Sequence, residues 1–140
     1  MPDAGGEPST GAPPSILVVE DELHLRRMMR RLLEREGYRV YDAPDGLAAL
    51  EAVETDPPDV IILDYKMPVL DGGGFLAERR RRGIPETPVI LVSASPEARD
   101  LSERFGCDGL LTKPFGAQVL LAAVARTLDR LQRPLDGPGG

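Results

Sequence analysis

The sequence predicts an α/β fold: one domain on a parallel, doubly wound five-stranded sheet with helices on both faces and right-handed crossovers. Three observations point there. Apolar runs such as Val60-Ile61-Ile62-Leu63 and Val89-Ile90-Leu91-Val92 lack polar alternation, as expected of strands covered on both sides. Strand-like and helix-like segments alternate five times along the chain. The 140 residues, 41% hydrophobic, suffice for one core, and no internal repeat or second domain is visible.

The elements follow in order. Residues 1–14 are rich in Gly and Pro and have too little apolar bulk to offset ordering, so a flexible tail is expected. Residues 133–140 have the same character, which leaves 15–132 as the folded part. Ser15–Val19 is the first strand, and it ends in Glu20-Asp21-Glu22, three acids that packing does not explain. Leu25, Met28, Met29, Leu32 and Leu33 recur at helical spacing with arginines opposite. They predict an amphipathic helix of about four turns with both methionines in the core, stopped in left-handed geometry at Gly37. Tyr38–Ala43 alternates, as a sheet-edge strand with one wetter face does.

Asp45-Gly46 opens a short helix carrying Leu47, Leu50 and Val53, and Pro57-Pro58 ends that segment. The third strand runs into Asp64, after which Met67-Pro68 turns the chain out of strand geometry. Asp71-Gly72-Gly73-Gly74 leads into a helix bearing Arg79-Arg80-Arg81-Arg82 and closed by Gly83 and Pro85. With no aromatic residue interleaved, the arginine run reads as a solvated face. Val89–Val92 is the fourth strand and finishes at Ser93-Ala94-Ser95; residues 97–105 form a short, weak helix. Gly109–Thr112 is the fifth strand, ending in Lys113-Pro114-Phe115, and Val119, Leu120, Val124, Leu128 and Leu131 stripe the last helix.

Composition excludes several classes. A net charge of -6 and a pI near 4.8 argue against direct nucleic-acid binding. No apolar run is long enough for a membrane span, and the N-terminus lacks the basic and apolar segments of a signal peptide. Cys107 is the single cysteine, so no disulfide framework forms within the chain, in agreement with a cytoplasmic location.

In a parallel sheet all strand C-termini point one way, so Glu20, Asp21 and Glu22, Asp64, Ser93 and Lys113 converge on one crevice. Crowded carboxylates repel unless a hard cation joins them, and Mg²⁺ suits oxygen donors. These are the parts for phosphoryl transfer: Asp64 as nucleophile, the metal and Lys113 neutralising phosphoryl oxygens, Ser93 donating a hydrogen bond. Plainer roles stand beside these: a turn cap for Asp64, a strand-end hydroxyl for Ser93, a solvated loop lysine for Lys113. For Glu22 a favourable helix start is the preferred reading. His24 reads as a solvated helix residue, and Gly72–Gly74 as a loop easing into a helix.

Val18-Val19-Glu20-Asp21-Glu22, Leu63-Asp64-Tyr65-Lys66-Met67-Pro68 with Asp71-Gly72, Val92-Ser93-Ala94 and Lys113-Pro114-Phe115 together resemble the receiver domain of bacterial two-component response regulators. The resemblance implies a flavodoxin-like (βα)5 domain with strand order 2-1-3-4-5. It implies that Asp64 accepts phosphate from a histidine kinase or phosphotransfer protein. Mg²⁺ would be held at Asp64 by Glu20, Asp21 and the backbone carbonyl of Lys66, with Ser93 and Lys113 on the phosphoryl group. Three features depart from the family's usual pattern. Glu20 replaces the commoner Asp, Leu110 stands where an aromatic switch is usual, and the span from Ser93 to Lys113 is about two residues short. The Lys66 side chain is expected to lean over the phosphoryl site.

The expected function is therefore a single-domain response regulator, a phosphoacceptor switch rather than an enzyme. No output segment is seen after the last helix, so output is expected through contact with a downstream protein, without membrane or nucleic acid, and with a homodimer also in view. The alternative is a receiver-like interaction module independent of phosphorylation. An aspartyl-phosphate phosphohydrolase would want a second acid where Lys66 stands, and a flavin carrier would want hydroxyls and amides in place of Glu20-Asp21-Glu22.

Overall fold

The computed structural model describes residues 12–132. Five strands, β1 (Ser15–Val19), β2 (Arg39–Ala43), β3 (Val60–Asp64), β4 (Val89–Ser93) and β5 (Gly109–Thr112), alternate with five helices. These are α1 (Leu23–Arg35), α2 (Gly46–Thr55), α3 (Gly72–Arg81), α4 (Ala98–Phe105) and α5 (Ala117–Gln132). Every strand pair is parallel and the sheet order is β2-β1-β3-β4-β5, the flavodoxin-like arrangement, with β2 at an edge as its alternation implied.

The period of two along each strand explains the unbroken apolar runs. Leu17, Val19, Ile61, Leu63 and Leu91 point to one side, under Leu50 and Val53 of α2, Phe75 and Leu76 of α3, and Leu101 of α4. Ile16, Val18, Val60, Ile62, Ile90 and Val92 point to the other, under Met29 and Leu33 of α1 and Leu120 and Val124 of α5. Neither face of the central strands meets water, so neither tolerates a polar residue until the strand ends. Acids then start the helices: Glu22 accepts from the backbone of His24 and Leu25, Asp45 from Ala48, and Asp71 from Gly74.

Four expectations change. Met28 is 44% exposed while Met29 is buried, because adjacent helical residues lie about 100° apart and cannot both face the sheet. Val119 is exposed beside the buried Leu120 for the same reason, and Leu47 and Leu131, also read into apolar stripes, are exposed as well. Arg79 is not part of a solvated face: with Gly72, Phe75 and Leu76 it forms the buried stripe of α3. Pro14, placed in the tail by its sequence, accepts a hydrogen bond from Arg39 N at 2.9 Å and so extends the β1–β2 ladder; residues 1–11 and 133–140 lie outside the described residues.

Candidate functional site

The backbone ladder continues one residue beyond the strands. Glu20 N donates to Ala43 O at 3.1 Å, Tyr65 N to Val92 O at 2.9 Å, and Lys113 N to Ser93 O at 2.9 Å. Glu20, Asp64, Ser93 and Lys113 are thus set by the sheet itself rather than by loose loops, while Asp21 and Lys66 lie just beyond it. Glu20, Asp21, Asp64, Lys66, Ser93 and Lys113, all singled out in the sequence, border one cavity of about 390 Å³. His24 is not among them; it lines a separate depression on α1 with Arg27, Met28 and Arg31.

Lys113 Nζ lies 3.1 Å from Asp64 Oδ1 and 3.2 Å from Glu20 Oε1. Both carboxylates are buried, Glu20 to 1% exposure and Asp64 to 4%, while Asp21 is exposed at the mouth. Glu20 Oε2 accepts from Glu22 N at 3.1 Å, whereas Oε1, near Lys113 but poorly aligned with it, has no hydrogen-bond partner among the described residues. One oxygen from each of Glu20, Asp21 and Asp64 lies within 4.8 Å of the others. Three carboxylates converging this closely, one with a buried oxygen still lacking a hydrogen bond, fit a hard divalent cation such as Mg²⁺.

Burial first, and the Asp64 carboxylate second, push Glu20 from 4.5 up to about 7, against the pull of the Glu22 backbone N–H and Lys113. Burial also holds Asp64 above its ordinary value, with Lys113 opposing and Asp21 adding to the rise. Burial lowers the Lys113 ammonium, but Asp64 and Glu20 outweigh it and the net shift is upward. A carboxyl whose folded pKa exceeds its unfolded value binds its proton more tightly in the folded state. Its stabilising effect is therefore complete at acid pH and is lost as pH rises from 4.5 toward 7. The melting temperature of the metal-free protein is expected to fall over that interval. Glu20→Gln is expected to flatten the profile, and Mg²⁺ to raise the melting temperature more at about pH 8 than at about pH 5. Melting curves across pH, with and without Mg²⁺, check this.

Ser93 Oγ accepts from Ser95 N at 2.7 Å, so its hydroxyl is engaged within its own loop. Ser95 and Ala94 also border the cavity, a contribution the sequence reading did not assign although the Ser93-Ala94-Ser95 run carried a hint of it. Leu110 borders a neighbouring depression of about 260 Å³ together with Ser93, Arg99 and Thr112. The Lys113–Pro114 peptide bond is cis. Glu22 both caps α1 and faces the cavity. No helix among the described residues is long and apolar enough to cross a membrane.

Comparison with known proteins agrees with this geometry. The transcriptional regulatory protein CseB of Streptomyces coelicolor is 39% identical over 117 residues, covering 82% of this chain and 49% of CseB. The response regulator MprA of Mycolicibacterium vanbaalenii is 39% identical over 132 residues, 91% of this chain and 55% of MprA. The chain thus spans about half the length of these curated relatives. Among solved structures, the receiver domain of Francisella response regulator 1452 superposes with a TM-score of 0.77 at 35% identity, covering 84% of this chain and 98% of that one. The chemotaxis response regulator CheY4 of Vibrio cholerae gives 0.74 at 34% identity, covering 82% and 98%. Residues 16–125 match the response regulator receiver domain family, and the chain belongs to it.

Proposed function

We propose that Asp64 is the phosphoacceptor of a Mg²⁺-dependent switch fed by a histidine kinase or phosphotransfer protein in the cytoplasm. The observation that carries this is the Asp64 carboxylate, buried at the end of β3, 3.1 Å from the Lys113 ammonium and in reach of the oxygens of Glu20 and Asp21. Glu20, Asp21, Asp64 and the Lys66 carbonyl would hold Mg²⁺, which when bound would withdraw charge from the phosphoryl oxygens. An Asp64 oxygen attacks the phosphorus of a phosphohistidine. The P–O bond forms as the P–N bond breaks, and the departing imidazole nitrogen keeps the electron pair and takes up a proton from solvent. Lys113 neutralises charge on the equatorial oxygens, and Ser93, turned away from Ser95, donates its hydroxyl to one of them. The acceptor modifies itself, so the protein is a switch rather than an enzyme with turnover.

Output proceeds by contact with a downstream protein. The transcriptional role in the relatives' names belongs to those longer proteins. Leu110 favours a second reading: the pocket beside Ser93 is lined by an aliphatic side chain, so the fold would serve as an interaction module without using phosphate.

Incubation with acetyl phosphate and Mg²⁺ followed by intact-mass measurement separates the two. The wild type is expected to gain one phosphoryl group and Asp64→Asn none. An unchanged wild-type mass would favour the second reading.

A further inference from the structure

The loop from Tyr65 to Asp71 carries Lys66 to the cavity, and it is held in an unusual shape. Leu70 N donates to Pro68 O at 2.7 Å around Val69, whose φ is +68°. This is the γ-turn of positive φ, the rarer and more strained of the two forms, and a β-branched residue is poorly suited to it. The Val69 side chain is 74% exposed, so its own packing does not hold it there. Such strain persists where the surroundings over-determine the backbone.

Two glycines do so here. Gly72 N donates to Tyr65 O at 2.8 Å and closes the loop on itself. Gly46, the first residue of α2, donates its N–H to Leu70 O at 2.8 Å from outside. A Cβ on Gly72 would stand 2.7 Å from Asp64 O, and one on Gly46 only 2.3 Å from Leu70 O, both backbone atoms that cannot step aside cheaply. None of these three hydrogen bonds uses the Lys66 carbonyl. α2 supplies no side chain to the cavity, yet its N-terminus grips the segment that borders it.

We propose that Gly46 is a positioning residue for the divalent-cation site. Its N–H anchors Leu70, the anchored Leu70 keeps the Pro68–Leu70 turn closed, and the turn sets Lys66 beside Asp64. This rests on reading Asp64, Glu20, Asp21 and the Lys66 carbonyl as the Mg²⁺ donors. Supporting groups one step removed from a metal typically change its affinity ten- to a hundredfold when altered.

The test is calorimetric titration of the full chain with Mg²⁺ alone. Gly46→Ala, tolerable to the helix itself at its first position, is expected to weaken Mg²⁺ binding about tenfold. Val53→Ala truncates a buried side chain of α2 away from the loop and serves as the control for plain destabilisation. It is expected to keep the affinity within about twofold. If Gly46→Ala does not fold, Val69→Gly added to it lets the turn yield. The double variant is then expected to fold but bind about tenfold more weakly than Val69→Gly alone. Equal affinity of Gly46→Ala and wild type, or of the double and single variants, would overturn the positioning role and leave the site intact. Absence of Mg²⁺ binding by the wild type would overturn the site reading and this role with it.

Discussion

Lys113→Met is expected to slow phosphorylation of Asp64 by acetyl phosphate by about 10²–10³-fold, the usual consequence of removing one preorganised positive donor from a site where negative charge develops. The folded state suffers as well, with a definite pH dependence. Lys113 Nζ lies 3.1 Å from Asp64 and 3.2 Å from Glu20, both almost fully buried. Methionine keeps most of the side-chain volume but leaves two carboxylates facing each other without a cation. Breaking a buried pair in this way costs about 3–5 kcal/mol at a pH where both acids are charged. Glu20 already titrates near 7 and would titrate higher without Lys113, so protonation removes the repulsion in acid. The variant should therefore approach wild-type stability at about pH 5, lose it progressively toward pH 8, and recover there on addition of Mg²⁺. Urea denaturation across pH measures the stability, and intact-mass time courses measure the rate. A variant equally destabilised at all pH values would mean that lysine packing, not charge balance, is what the site requires.

The parallel sheet and the convergence of its polar edge were legible because each rests on local periodicity plus one topological rule, whereas the strand order followed only from the resemblance of the four motifs to receiver domains. An apolar strand interrupted by Asp64, and another followed by Glu20, announce their ends in the chain itself, and parallel pairing does the rest. What stayed hidden depends on contacts between distant segments. The grip of Gly46 on Leu70 spans the α2–β3 crossover, and neither residue carries a local mark of it. The unequal burial of Glu20 and Asp21 follows from which of two consecutive acids still belongs to the sheet ladder. Helix faces were misread where two adjacent apolar residues competed for one inward direction, as Met28 and Met29 did. The arginine run was misread for the opposite reason, since charge outweighed a periodicity that was plainly available: residue 79 continues the stripe of 72, 75 and 76.

Arg79→Ala is expected to destabilise the protein by about 3 kcal/mol, whereas Arg79→Met should cost less than about 1 kcal/mol. Arg79 is 3% exposed, its guanidinium sits 5.7 Å from the Phe75 ring centroid, and Nη1 donates to Thr87 O at 2.9 Å. Nε is buried without a hydrogen-bond partner among the described residues, and burial lowers the guanidinium pKa, with Glu86 opposing. The charge is thus held at a loss in hydration that one well-made hydrogen bond and a ring contact only partly offset. The long aliphatic stem, by contrast, fills space between α3 and the segment leading into β4. Both substitutions remove the donor to the half-buried Thr87 carbonyl, so the difference lies in the stem: alanine empties that space, whereas methionine refills most of it, and both remove the costly charge. Arg80 makes the instructive comparison. It pairs with Glu86 at 2.8 Å and lies 4.7 Å over Phe105, but on the surface, where solvent screens the pair, so Arg80→Ala should leave the urea midpoint nearly unchanged. Urea midpoints for the three variants decide the matter. If Arg79→Met proves as damaging as Arg79→Ala, the Thr87 hydrogen bond and the charge, rather than the buried stem, hold α3 in place.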